Sequence, residues 1–82
     1  MNLQIITPDR QVFSGEVAAA TFPGSEGQFQ VLNDHAPLVS TLGLGSIVIE
    51  EAGAKKQSFS IDGGVVEVLN NNVLVLAESV VV

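Results

Sequence analysis

His35 is the only histidine in the chain and therefore the first residue to consider for acid–base chemistry. It stands in the segment Asn33-Asp34-His35-Ala36-Pro37, which has the composition of a turn. Ser25, Ser40 and Asp34 could supply the nucleophile and the orienting acid of a triad. The chain has no G-x-S-x-G motif, however, and one histidine in a turn is weak evidence for a triad. We favour a histidine that hydrogen-bonds its own turn or lies in an interface.

Metal and phosphate sites find equally little support. The chain has no cysteine, and a single histidine falls short of the ligand set that zinc prefers. Asp62-Gly63-Gly64 offers one carboxylate before two glycines, and it predicts a hairpin turn with positive φ. Gly24-Ser25-Glu26-Gly27 leads into a strand pattern rather than a helix, and Glu26 would repel a phosphate. We therefore predict no catalytic, cofactor-binding or metal site, no bound cofactor and no small-molecule substrate.

The charge balance limits the partners. Nine acidic residues against three basic ones give a net charge of −6. A nucleic-acid surface needs cations that displace counterions, so DNA and RNA are improbable partners, and so is an anionic membrane surface. Charged residues make up only 15% of the chain, which is low for a small domain with much surface. Either a partner covers an apolar or neutral face, or the surface is polar and uncharged; composition leaves both open.

The elements that must position these residues are short. Gly, Pro, Asn and Asp punctuate the chain at intervals of mostly five to nine residues, which suits strands. The predicted strands are Leu3–Thr7, Gln11–Ser14, Glu16–Phe22, Gln28–Val31, Ser46–Glu50, Gln57–Ile61, Val65–Leu69 and Val73–Ala77, and Val80–Val82 would complete the last one. Asp34–Leu42 offers a weak helical alternative, which Pro37 disfavours. The pattern predicts an all-β sandwich or barrel in a single domain.

Two further features concern surfaces. Val73-Leu74-Val75-Leu76 is apolar at every position, which predicts a strand buried on both faces, in the middle of a sandwich or beneath a partner. Glu50-Glu51 and Lys55-Lys56 flank a short turn and predict a solvated hairpin tip with paired charges. No apolar run approaches the ~20 residues that span a bilayer. The N-terminus lacks the features of a signal peptide, so we expect the chain to stay where it is made.

Five segments in order resemble the epsilon subunit of F-type ATP synthases. They are Phe13–Val17, Pro23–Leu32, His35–Leu38, Gly63–Val68 and Val73–Glu78. The resemblance covers nearly the whole chain. It implies a flattened antiparallel β-sandwich of about ten short strands, in agreement with the strand pattern. It also implies that residues 1–82 form one epsilon-type domain, without the C-terminal helical hairpin of most family members or the nucleotide site that some carry there.

The same resemblance implies a mechanical function. The subunit would sit in the central stalk, link the gamma subunit to the c-ring and couple ion-driven rotation to ATP synthesis, with no catalysis of its own. It would be a peripheral membrane protein on the cytoplasmic side of a bacterial plasma membrane, or on the stromal face of a thylakoid. The implied c-ring contacts are Gly24, Ser25, Glu26, Gly27 and Gln28, and the implied gamma contacts are Thr7, His35 and Ser40. The alternative is a small β-barrel ligand-binding domain or enzyme that uses His35 with Asp34.

Overall fold

Ten strands and one turn of 3₁₀-helix make up the computed structural model, which describes residues 1–81. In chain order these elements are β1 (Asn2–Thr7), β2 (Arg10–Glu16), β3 (Ala19–Gly24), β4 (Gly27–Leu32), β5 (Leu38–Leu42), β6 (Gly45–Glu50), the 3₁₀ turn (Ala52–Ala54), β7 (Lys56–Ile61), β8 (Gly64–Leu69), β9 (Asn72–Ala77) and β10 (Val80–Val81). The prediction of an all-β sandwich of about ten short strands is confirmed.

The strands follow the order β10-β7-β6-β3-β5-β8-β9-β1-β2, and β4 pairs with the free side of β3. Neighbours pair antiparallel except β1 and β9, which run parallel. The pairing between β3 and β5 consists of one residue pair, Gly24 with Leu42, so the sheet folds over at this point. The rings of Phe13 on β2 and Phe59 on β7, with centroids 5.8 Å apart, join the two layers across the core.

Side chains that alternate along the strands fill the space between the layers. In β1 every second residue is buried, as period-two patterning requires of a strand with one face on a core. Phe22 is fully buried on β3 and packs against Phe29 on β4 with ring centroids 5.5 Å apart. The largest fully buried side chains are Leu3, Ile5, Phe22, Val31, Ile47, Ile49, Val66, Val68 and Val75. Close packing of this kind gives a small domain its stiffness.

Several predicted boundaries were wrong. Gly15 lies inside β2, so the break predicted at Ser14-Gly15 falls later, after Glu16. Gly24 ends β3, and the hairpin turn itself is Ser25-Glu26. Glycine marked a turn in the sequence, but each of these two glycines pairs in register with the neighbouring strand.

The segment Asp62-Gly63-Gly64 is not a hairpin. β7 pairs with β6 and β10, whereas β8 pairs with β5 and β9, so this segment carries the chain from one layer to the other. The predicted positive φ is confirmed at Gly63 (152°) and Gly64 (154°). At Gly64 a Cβ would collide with the carbonyl oxygen of Leu76 on the paired strand. The glycines therefore permit a crossover that passes close to neighbouring backbone.

Two other predictions have clear outcomes. The segment Asp34–Leu42, for which a helix was the weak alternative, contains β5 and no helix. Ala52–Ala54 is the one helical turn within residues 1–81. That turn joins β6 and β7, where Glu50 pairs with Lys56 across the predicted hairpin. Lys55 Nζ lies 4.0 Å from Glu51 Oε2, which confirms the arrangement of charges at the tip.

Candidate functional site

The loop predicted to touch the c-ring is the tip of the β3–β4 hairpin. Ser25, Glu26, Gly27 and Gln28 are exposed there, and the strands close through the pair Gly24 with Gly27. Gly27 has φ +130°, which side chains rarely adopt. A Cβ at Gly24 would lie 2.6 Å from the carbonyl oxygen of Gly27 and 2.9 Å from the Phe29 ring. Both glycines thus shape the tip, and its exposed side chains are Ser25, Glu26 and Gln28.

The tip is fastened to β5 and the loop after it. The backbone N–H of Ser25 donates to the carbonyl of Thr41 at 3.0 Å, and Thr41 Oγ1 donates to Ser25 Oγ at 2.8 Å. The N–H of Gly43 donates to the carbonyl of Pro23 at 2.8 Å. Thr41 could not be identified from the sequence, because only the folded sheet brings residues 25 and 41 together.

Thr7, the first predicted gamma contact, is buried rather than on the sheet surface, with 6% of its area exposed. Its hydroxyl donates to Asp9 Oδ1 at 2.6 Å and lies 3.2 Å from the carbonyl oxygen of Arg10. The hydrogen bond from Thr7 is the main cause that lowers the pKa of the Asp9 carboxyl below its usual range. Within this structure Thr7 therefore shapes the β1–β2 turn, and its contact with gamma stays a prediction.

His35 occupies the connection between β4 and β5 and is half-buried. Its backbone N–H donates to the carbonyl of Leu32 at 3.2 Å, and its ring Nδ1 lies 2.7 Å from the carbonyl oxygen of Ala36. The neighbouring N–H of Asp34 donates to Asn71 Oδ1 at 2.8 Å, which ties this loop to the β8–β9 turn. The histidine hydrogen-bonds its own turn, as the sequence predicted.

Ser40 lies on the opposite side of β5 from Val39, as the alternation predicts, but Val39 is the more exposed residue. Ser40 shares its side with the buried Leu42, is half-buried, and donates its hydroxyl hydrogen bond to the carbonyl of Thr41 at 3.1 Å. Val39 exposes 69% of its area. In the free domain Ser40 is therefore less exposed than its neighbour Val39.

An exposed sheet face of low charge lies on β5, β8 and β9. We call it the apolar face and define it by Val39, Val65, Leu74 and Leu76, with Glu67 in its middle. Cross-strand pairing arranges the residues of this face in two rows, Val39-Glu67-Leu74 and Thr41-Val65-Leu76. The run Val73–Leu76 is thus not enclosed inside the sandwich, because Val73 and Val75 face the core whereas Leu76 is 51% exposed.

The predicted gamma contacts do not form one patch. Thr7 ends β1 at the end of the layer that also carries the hairpin tip, as the pairs Ile6–Leu76 and Gly24–Leu42 show. His35 lies near Asn71 at the opposite end, and Ser40 lies between them on β5. The five predicted c-ring contacts, by contrast, are brought together in one hairpin.

The remaining geometry bears on metals and membranes. Among residues 1–81 no three His, Asp or Glu side chains come close enough together to hold a metal ion. Within the same residues the helical content is a single 3₁₀ turn, and none of it has the length and apolarity to cross a bilayer.

Known proteins similar to this chain agree with the fold and the motifs. Residues 1–82 match the family described as ATP synthase, Delta/Epsilon chain, beta-sandwich domain. The chain is 42% identical to the ATP synthase epsilon chain of Leptospira borgpetersenii, with 95% of this chain and 61% of that one aligned. It is 40% identical to the ATP synthase epsilon chain of Chlorobium limicola, with 95% of this chain and 89% of that one aligned.

A solved structure extends the comparison to three dimensions. A chain in the cryo-EM structure of the Euglena gracilis mitochondrial ATP synthase, OSCP/F1/c-ring, superposes with a TM-score of 0.91 at 31% identity, covering 96% of this chain and 51% of that chain. The present chain spans about three fifths of the length of the Leptospira relative. Because the family match extends over every residue from 1 to 82, the chain belongs to the β-sandwich domain family of ATP synthase delta and epsilon chains.

Proposed function

We propose that this domain acts as the epsilon part of the central stalk of an F-type ATP synthase, linking the gamma subunit to the c-ring. In this function it couples ion-driven rotation to ATP synthesis elsewhere in the complex. The observation that carries the proposal is the presence of two separate exposed surfaces on one closely packed sandwich, the hairpin tip and the apolar face, in a chain of this family. Transmission of torque requires a stiff body with two such contacts.

The apolar face is the surface we assign to gamma. Val39 exposes 69% and Leu76 51% of their areas, and Glu67 is the one charged side chain among the residues that define this face. A charge without a partner would cost several kcal/mol on burial, so an interface buried during rotation should carry few charges. The low overall content of charged residues agrees with such a covered face. The gamma contacts predicted at Thr7, His35 and Ser40 stay predictions, and Ser40, on the side of β5 opposite Val39, would require a second gamma surface.

The hairpin tip is the surface we assign to the c-ring. Ser25, Glu26 and Gln28 project from a turn whose glycines fix the backbone, so their polar groups are presented with little loss of conformational freedom on binding. The Euglena assembly that contains a chain of the same fold at 31% identity includes a c-ring. The domain would thereby be held at the membrane by its partners, on the cytoplasmic or stromal side.

The proposal includes no catalysis by this chain. The Nδ1 atom of His35 is engaged by the carbonyl oxygen of Ala36 within its own turn. The depression beside this loop is lined by Asn33, Asp34 and Asn71 and does not include His35. These observations favour a stalk domain over an enzyme that uses His35 with Asp34. We expect no ATP hydrolysis by the chain and no micromolar ATP binding in calorimetry; hydrolysis abolished by His35→Ala would refute this.

The experiment that tests the proposed function is a titration of this chain against a purified gamma–c-ring subcomplex in detergent. Glu26→Lys and Gln28→Lys should weaken binding, because they change the charge of the tip. Both residues are exposed, so the free energy of unfolding should change by less than about 0.5 kcal/mol. Gln30→Lys, two residues further on the same strand and also exposed, is the matched control. An unmodified chain that fails to bind the subcomplex would refute the proposal.

A further inference from the structure

The hairpin tip would be poorly supported by its own strands. β4 pairs only with β3, and β3 pairs with β6 only over Ala19–Thr21, at the base of the hairpin. Nearer the tip, β3 meets β5 through the one pair Gly24 with Leu42. The part of the hairpin beyond its base can therefore move unless something holds its end. The support comes from β5, where the Ser25 N–H binds the Thr41 carbonyl at 3.0 Å and Thr41 Oγ1 binds Ser25 Oγ at 2.8 Å. We call these two hydrogen bonds the Ser25–Thr41 clamp.

The loop between β5 and β6 lies against the same hairpin. The Gly43 N–H donates to the Pro23 carbonyl at 2.8 Å, and a Cβ at Gly45 would lie 2.7 Å from Cβ of Pro23. Only glycine fits at position 45 with this approach. Between these two glycines, Leu44 exposes 84% of its area, more than any other exposed large hydrophobic residue in the described chain.

We infer that the c-ring contact is a platform made of two loops, the hairpin tip and Gly43–Gly45, with Leu44 as a contact residue and Thr41 as a positioning residue. This inference rests on the proposed function and adds to it two residues outside the hairpin. The occupant is the set of loops that a c-ring presents at its rim. Continuity with the hairpin tip points to this occupant, because the Gly43–Gly45 loop packs on Pro23 directly beside the tip.

The two residues contribute in different ways. Leu44 supplies the apolar area that the tip lacks, since Ser25, Glu26 and Gln28 are all polar. In the c-ring contact Thr41 acts through Ser25, by keeping the tip in one position relative to the loop. A contact that is fixed before binding loses less conformational entropy when it forms. The clamp also provides a rigid path by which force on the tip can reach β5 and, through it, the apolar face.

Thr41 is tested with a matched pair of variants in the titration against the gamma–c-ring subcomplex. Thr41→Val removes the hydroxyl but keeps the shape, and Thr41→Ser keeps the hydroxyl. We expect Thr41→Val to weaken binding about five-fold, the change that corresponds to one net hydrogen bond, and Thr41→Ser to bind like the unmodified chain. Since Thr41 is exposed, both should melt within a few degrees of it. Amide signals of residues 25–28 should shift in Thr41→Val and not in Thr41→Ser.

Leu44 is tested independently with Leu44→Ser, which should weaken binding about ten-fold if most of this side chain becomes buried. Leu32→Ser is the control, because Leu32 is 52% exposed at the end of β4 away from the tip and outside the apolar face, so it should leave binding unchanged. This pair decides the matter even if Thr41→Val fails to fold. Normal binding by Leu44→Ser would overturn the inference, and so would equal weakening of binding by Thr41→Val and Thr41→Ser. In either case the proposed function would stand. An unmodified chain that does not bind overturns both.

Discussion

A serine in place of Val39 should separate binding to gamma from folding. Val39 is the second residue of β5, exposes 69% of its area and pairs with Glu67 on β8. Complete burial of a valine side chain contributes about 1.5–3 kcal/mol. If gamma covers the exposed part, Val39→Ser should remove about 1–2 kcal/mol of binding free energy, and the dissociation constant should rise about five- to thirty-fold.

The same arithmetic gives the effect on the free domain. Only the covered third of Val39 contributes to folding, so Val39→Ser should lower the free energy of unfolding by about 0.5–1 kcal/mol. For a domain of this size that corresponds to a fall in Tm of roughly 2–8 °C. The domain should therefore stay folded at 25 °C, and binding can be measured on native protein by calorimetric titration of gamma, with a melting curve for each variant.

Val81→Ser provides a control with matched exposure. Val81 exposes 71% of its area, but it lies on β10, at the edge of the other layer and away from the apolar face. This variant should lose a similar small amount of stability and bind gamma normally. Equal affinity of Val39→Ser and the unmodified chain would refute the assignment of gamma to the apolar face. Equal weakening in both variants would show a general effect of surface valines rather than a specific interface.

Three further predictions concern turns. Gly64→Ala should lower the free energy of unfolding by at least about 2 kcal/mol in urea titrations, since φ of 154° is strained for alanine and its Cβ meets the backbone of β9. Asn71→Gly keeps the positive φ but removes the acceptor of the Asp34 N–H, so hydrogen exchange of that amide should accelerate; unchanged exchange would contradict this. The hydrogen bond from Thr7 lowers the folded pKa of Asp9, so its stabilisation is present above pH ~4 and is lost as pH falls through the lowered pKa. In a plot of the urea unfolding midpoint against pH, Asp9→Asn should reduce the fall of the midpoint below pH ~4. An unaltered pH profile would contradict the assignment.

Local patterns in the sequence were sufficient for most of the strands and for the tip, but β5 was not among the predicted strands. Period-two alternation depends on neighbouring residues alone, so most strands were located to within a residue or two of their ends. In the segment Leu38-Val39-Ser40-Thr41-Leu42, Ser40 alternates with Leu38 and Leu42. Period-two patterning therefore already predicts that Ser40 shares their inward side of β5. The resemblance, by contrast, implied a gamma contact at Ser40.

Tertiary structure alone decided which surfaces the chain offers. Val73–Leu76 is uniformly apolar in sequence, and only its position between β8 and β1 determines that Leu76 faces outward while Val75 is buried. The parallel pairing of β1 with β9 and the contact of Ser25 with Thr41 join residues far apart along the chain. Such contacts form only when the whole sheet closes. The loss of chain entropy on joining distant residues is offset by burial of the complete core, not by local conformational preference. The folded sheet therefore decides which side of each strand a partner can reach.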